Sequence, residues 1–115
     1  MKRTLTDILE HMVEDCEDIA DAVIRVGDVH GMDADRNLRK AIVMSILNLG
    51  ELTKLLEMHL DLANTGIDWK GLKGMREIAA HRYKTMRSII IWTVATEHVP
   101  EILLYLRQRI DDLQR

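Results

Sequence analysis

Apolar positions recur at three- and four-residue steps through most of this chain. Across residues 4–26 they are Leu5, Ile8, Leu9, Met12, Val13, Cys16, Ile19, Ala20, Val23 and Ile24, the period of an amphipathic helix. Thr4 or Thr6 can cap its start. The polar face is acidic, with Asp7, Glu10, Glu14, Asp15, Glu17, Asp18 and Asp21, and reads as a solvated face. Residues 27–33 form a connection. Asp33 or Asp35 then caps a second helix predicted to run to about Leu60, with Leu38, Ala41, Ile42, Ile46, Leu49, Leu52, Leu55, Leu56 and Met58 among its apolar set. That set covers more than one stripe, so the helix is expected at the centre of the fold or against another subunit. Gly50 lies in its interior at a cost of roughly 1 kcal/mol against Ala, which predicts close approach of another backbone.

The pattern breaks at residues 61–67, where Asn64-Thr65-Gly66 signals a turn. Asp68 is expected to cap a short helical turn carrying Trp69, a packing anchor. Gly71 and Gly74 lead into a third helix. From about Arg87 a last helical region follows Ile89, Ile90, Trp92, Val94, Val99, Ile102, Leu103, Leu106, Ile110 and Leu113. Pro100 lacks a backbone donor and disfavours helix at the residue before it, which predicts a break or kink near residues 97–99. No stretch reads as a strand. The expectation is an all-α, antiparallel four-helix bundle with a short extra helical turn near Trp69, spanning residues 1–115 as a single domain.

Composition narrows the picture. Phe is absent and aromatics make up 3%, so the core must be built from aliphatic side chains and the seven Met. One Pro and six Gly in 115 residues suit long helices. The lone Cys16 cannot belong to a disulfide framework and reads as a small core residue in a cytoplasmic protein. No signal peptide is visible, and no apolar stretch approaches the length of a membrane span. His11 and Asp15 stand one turn apart, but no further His or Cys completes a metal site. No cofactor is expected.

Charge is more telling in its distribution than in its sum of −3. Between Lys70 and Arg87 the basic residues are Lys70, Lys73, Arg76, Arg82, Lys84 and Arg87, against the single acid Glu77. A positive groove on an otherwise acidic protein attracts a phosphate backbone without unselective sticking. Lys73, Arg82 and Lys84 are the candidate RNA contacts.

Within that cluster lies Arg76, four residues, His81, one residue, Tyr83. Arg carries a permanent charge and a fork of donors that fits phosphate. His transfers protons near neutrality. Together they suit metal-independent RNA cleavage, in which a ribose 2′-hydroxyl attacks the adjacent phosphorus. His81 would move protons and Arg76 would stabilise the phosphoryl charge. On a straight helix the two stand roughly 140° apart, and one histidine cannot easily serve as base and acid in one pass. A symmetric dimer meets both difficulties. Asn48 and Glu51 in the second helix are either satisfied structural groups or supports of the same cleft.

Arg76-x4-His81-x-Tyr83 resembles the signature of the HEPN superfamily, most closely its HepT-like toxins. Asn48-Leu-Gly50-Glu51-Leu-Thr-Lys54 resembles the family's Gly-Glu segment, and Ile67-Asp68-Trp69 with Gly74-Met75-Arg76 resembles its run into the signature. Trp92 and Pro100 also fit, and the likeness covers nearly the full chain. It implies a HEPN bundle, a homodimer with both signatures at one cleft, and ribonuclease activity with Arg76 and His81 as catalytic residues. It further implies a prokaryotic toxin–antitoxin pair. The antitoxin would be a small nucleotidyltransferase of the MntA type that silences the toxin by transferring AMP to Tyr83. In one departure, Glu77 stands where many members carry Asn. A carboxylate there could orient His81 or repel RNA. The competing class is a non-catalytic HEPN subunit that only binds a nucleotidyltransferase.

Overall fold

The computed structural model describes the backbone of residues 3–82 and 87–115, and the side chains of 3–75 and 87–115. Helix α1 spans Leu5–Val26. Thr4 is its N-cap: its hydroxyl accepts from the Asp7 amide at 3.1 Å, and the Asp7 carboxylate accepts from the Thr4 amide in return. Gly27, at φ 84°, ends the helix in a conformation that side chains resist. The buried stripe is Ile8, Met12, Cys16 and Ile19, with Leu9 and Ala22 beside it.

The expected connection at residues 27–33 is instead a short helix, α2, Val29–Ala34. Asp28 caps it by accepting from the Gly31 amide at 2.7 Å. Its sequence offers only Val29 and Met32 as apolar positions, too few to show a period. Complete burial of Met32 holds it to the core. Asp33 fastens this corner, accepting from the Ser88 hydroxyl and lying 3.6 Å from Arg39.

Helix α3, Arg36–Leu56, starts at Asp35, which accepts from the Leu38 amide at 3.0 Å. It ends four residues before the expected Leu60, in a turn where Met58 is exposed. Helix α3 packs on α1 and also on helix α4, Trp69–Arg82, as its two apolar stripes require. At Gly50 a Cβ would stand 2.7 Å from the Leu72 carbonyl oxygen, so the close approach expected there is with α4.

The expected separate turn at Trp69 is the first turn of α4 itself. Asp68 accepts from the Gly71 amide at 2.9 Å, so the cap starts the whole helix rather than an isolated turn. Trp69 is buried as an anchor. Its indole donates to Thr65 Oγ1 at 2.8 Å and its ring meets Tyr105 edge-on at 5.4 Å.

The chain stays helical past Pro100, and the irregularity expected near residues 97–99 is a π turn rather than a break. Helix α5, Ser88–Thr93, passes into a π turn, Val94–His98, and then into helix α6, Val99–Leu113. The wider turn absorbs the proline: the Val99 amide reaches back five residues to the Val94 carbonyl, and Val99 keeps helical angles of φ −59° and ψ −42°. A proline in the first turn of α6 loses no bond that turn would have made. This continuity overturns a second expectation. Ser88–Leu113 is 26 residues long, with a mean hydropathy of 1.3 over 18 residues, and is long and apolar enough to span a bilayer. In the fold its stripe of Ile91, Ala95, Val99, Ile102 and Leu106 is buried, and α6 packs on α1.

The result is an all-α bundle of four main helical rods, with the corner helix α2 added. Among the described residues there is no strand.

Candidate functional site

Helix α4 is held to the body by Trp69, Leu72 and Met75, all buried. Its close crossing with α3 at Gly50 fixes it further. Beyond Met75 its backbone stays helical through Arg82. That rod carries Arg76, Glu77, His81 and Arg82. The helical register keeps Arg76 and His81 roughly 140° apart, as the spacing required. Lys70, Gly74, Glu77 and His81 follow at steps of four, three and four and share a face. The side chains of Arg76, Glu77, His81 and Arg82 lie outside the described residues, as do Tyr83 and Lys84 altogether. Their convergence is therefore taken up below as a proposal.

Of the residues expected to support the cleft, Asn48 and Glu51 are described and Glu77 is not. Glu51 is half-buried, 3.7 Å from Lys54. Asn48 is exposed on α3 and reaches α1, where it hydrogen-bonds the Asp15 carboxylate. Asp15 does not belong to the solvated acidic face assigned to it. It stands seven residues after Ile8 and four before Ile19, in register with the buried stripe, and is 6% exposed. Burial pushes its carboxyl above the usual Asp range. Nearby His11 pulls it back, while Asp18 and Glu14 push it further. His11 Nε2 stands 3.9 Å from Asp15 Oδ2, and Arg3 bonds His11 Nδ1 at 3.1 Å. A guanidinium donating to Nδ1 leaves the ring proton on Nε2, facing Asp15. No cluster of three or more metal-ligating side chains occurs among the described residues. Cys16 is buried, its thiol pushed up to about 12 by desolvation, so it stays a protonated core residue.

Two concavities flank α4. Behind its first turns is an apolar cavity of about 140 Å³, bounded by Ile67, Leu72, Met75, Val94, His98 and Ile102. The other is an open groove of about 400 Å³ lined by Lys54 and Glu57 of α3 and its C-cap and by Lys70, Lys73 and Gly74 of α4. Lys73 Nζ contacts Glu57 Oε2 at 2.8 Å. Lys70 and Lys73 were visible as part of a basic run. The contribution of Lys54 was not, because only the crossing at Gly50 brings it alongside.

An all-helical bundle with Arg-x4-His on a pinned helix and a basic groove beside it defines a helical protein fitted to phosphodiester chemistry. Comparison with known proteins narrows this. The family model described as ribonuclease HepT-like matches residues 9–109. The chain belongs to the HepT-like ribonuclease family, and it is a ribonuclease of the HEPN type. Among its relatives, a protein of Caldanaerobacter subterraneus subsp. tengcongensis provisionally named an RNase is 28% identical over 100 residues, covering 87% of this chain and 88% of the relative. Two proteins of Methanocaldococcus jannaschii carry the same provisional name. One is 23% identical over 101 residues, 88% of this chain and 92% of its own. The other is 26% identical over 80 residues, 70% and 66%. No solved structure matches the chain.

Proposed function

We propose that this chain is the toxin of a prokaryotic toxin–antitoxin pair, a metal-independent endoribonuclease acting in the cytoplasm as a homodimer. The observation that carries the reading is the family match over residues 9–109, which takes in the whole of α4 and its Arg76-x4-His81. His81 of one protomer removes the proton from a ribose 2′-hydroxyl. The oxygen attacks phosphorus, the P–O5′ bond breaks, and the other protomer's histidine protonates the departing 5′ oxygen. The products are a 2′,3′-cyclic phosphate and a 5′-hydroxyl. Arg76 stabilises the charge that builds on the non-bridging oxygens. Exposed apolar residues favour a second copy: Met44 on α3 is 48% exposed and Ile89 and Ile90 on α5 are 51% and 47%.

Silencing by an MntA-type nucleotidyltransferase would place AMP on Tyr83, adding bulk and negative charge beside the cleft. Expression of the chain alone is the test. Growth should arrest, and His81→Ala or Arg76→Ala should each abolish the arrest and the appearance of cyclic-phosphate ends. Undiminished toxicity in both variants refutes the assigned roles. The absence of any arrest or RNA cleavage by the unmodified chain favours the non-catalytic HEPN subunit instead. Tyr83→Phe should resist modification by the partner, and an adenylate found on another residue refutes that assignment.

A further inference from the structure

We propose that the groove between α3 and α4 is a phosphate-binding subsite for the single-stranded RNA leading to the reaction centre, with Lys54, Lys70 and Lys73 as its cations. The proposal rests on the ribonuclease reading and adds residues to it. The groove exists because Gly50 lets α3 and α4 touch backbone to backbone. One turn further along α3, Lys54 then faces the start of α4. Three ammonium groups from two helices line one opening, on a protein whose net charge is −3. Lys54 and Lys70 are exposed and can reach a ligand without losing packing. Gly74 forms part of the groove wall, and no atom of the described residues lies within 4 Å of where its Cβ would be, which leaves room there for a sugar-phosphate strand.

Direction supports the same assignment. Lys70, Gly74 and His81 share a helical face, and Gly74 precedes His81 by roughly 10 Å of helix rise. A strand lying in the groove therefore runs along the helix toward the histidine. Among the described residues Glu57 is the only carboxylate lining the groove, and it binds Lys73 at 2.8 Å. It competes with phosphate for that lysine, so its role in the groove is to weaken binding and let product leave.

The experiment measures fluorescence anisotropy of a single-stranded 2′-O-methyl oligonucleotide, which binds but cannot be cleaved, across a salt titration. Lys54→Gln/Lys70→Gln should lower affinity about tenfold. Two lost phosphate contacts should flatten the slope of log K against log salt by about 1.4. Glu57→Gln should raise affinity two- to threefold, a direction that a structural role for the Glu57–Lys73 pair does not predict. Unchanged affinity and slope in the double variant, or weaker binding by Glu57→Gln, overturns the proposal. Failure of the unmodified protein to cut ordinary RNA would instead overturn the ribonuclease reading. The anisotropy measurement needs no cleavage and decides the groove in either case.

Discussion

A single carboxylate shows how the bundle handles a misplaced charge. Asp15 sits in the buried stripe of α1, yet among the described residues one of its oxygens has no hydrogen-bond partner, and Asn48 and His11 compensate in part. A buried, under-satisfied anion costs stability in its charged form. Its folded pKa lies above its unfolded value, so between those two values the native state holds the extra proton. Stability contributed by the protonated form is present at low pH and is lost as pH rises through that window. Asp15→Asn removes the charge and keeps an acceptor for Asn48. At pH 7 it should stabilise the fold by roughly 1 kcal/mol, a rise in melting temperature of about 4 °C. The gain should vanish below about pH 4, where the native aspartate is itself neutral. Thermal melts of both proteins at the two pH values check this, and an equal gain at both would show that charge is not the cause.

At the scale of elements, two glycines on facing helices make opposite predictions. Helix propensity alone favours alanine at both by up to about 1 kcal/mol. At Gly50 the added methyl would press on the Leu72 carbonyl at 2.7 Å, and overpacking costs typically about 1–3 kcal/mol. Gly50→Ala should therefore destabilise, while Gly74→Ala, with no neighbour within 4 Å among the described residues, should stabilise. Urea titration of the two variants reads both signs. The close contact at Gly50 was legible in the sequence because a glycine inside a strongly apolar helix needs a reason. The cap at Asp68 was legible too, and those at Thr4 and Asp35 were each legible as one of two candidates, the others being Thr6 and Asp33, because a short polar side chain precedes an apolar period. Helix α2 was not legible, since Val29 and Met32 are too few to show periodicity and it is held by tertiary contacts, the burial of Met32 and the ties of Asp33 to Ser88 and Arg39. The continuity of α5 and α6 was hidden for another reason: a proline rule written for α-helical turns does not anticipate a π turn. As for the site, residue type and spacing single out Arg76 and His81 as candidates, and their side chains lie outside the described residues. The groove could not be read that way, because Lys54 and Lys70 meet only through the crossing.

Over the whole molecule, charge is sorted by face. The exposed acids Asp7, Glu10, Glu14, Glu17, Asp18 and Asp21 lie on α1, while lysines gather between α3 and α4. Such a field draws a polyanion to one side and turns it away from the other. Reversing the acidic face with Glu10→Lys/Glu14→Lys/Asp18→Lys should remove that selectivity. The variant should retain duplex DNA in a gel-shift experiment at 0.1 M salt and release it as salt rises, whereas the unmodified protein should not retain it. Equal behaviour of the two would show that the acidic face has no part in rejecting ligands. The π turn at Val94–His98 carries a consequence of a different kind. It makes the rod from Ser88 to Leu113 a device for keeping phase: the wide turn sets the angular offset at which Ile102 and Leu106 meet α1. A π turn holds one residue more than an α turn, so removing one residue there would close it to α geometry and leave those side chains near their seats. Removing two would swing everything after it by about 100° and turn them away. The five positions therefore tolerate the loss of one residue better than the loss of two.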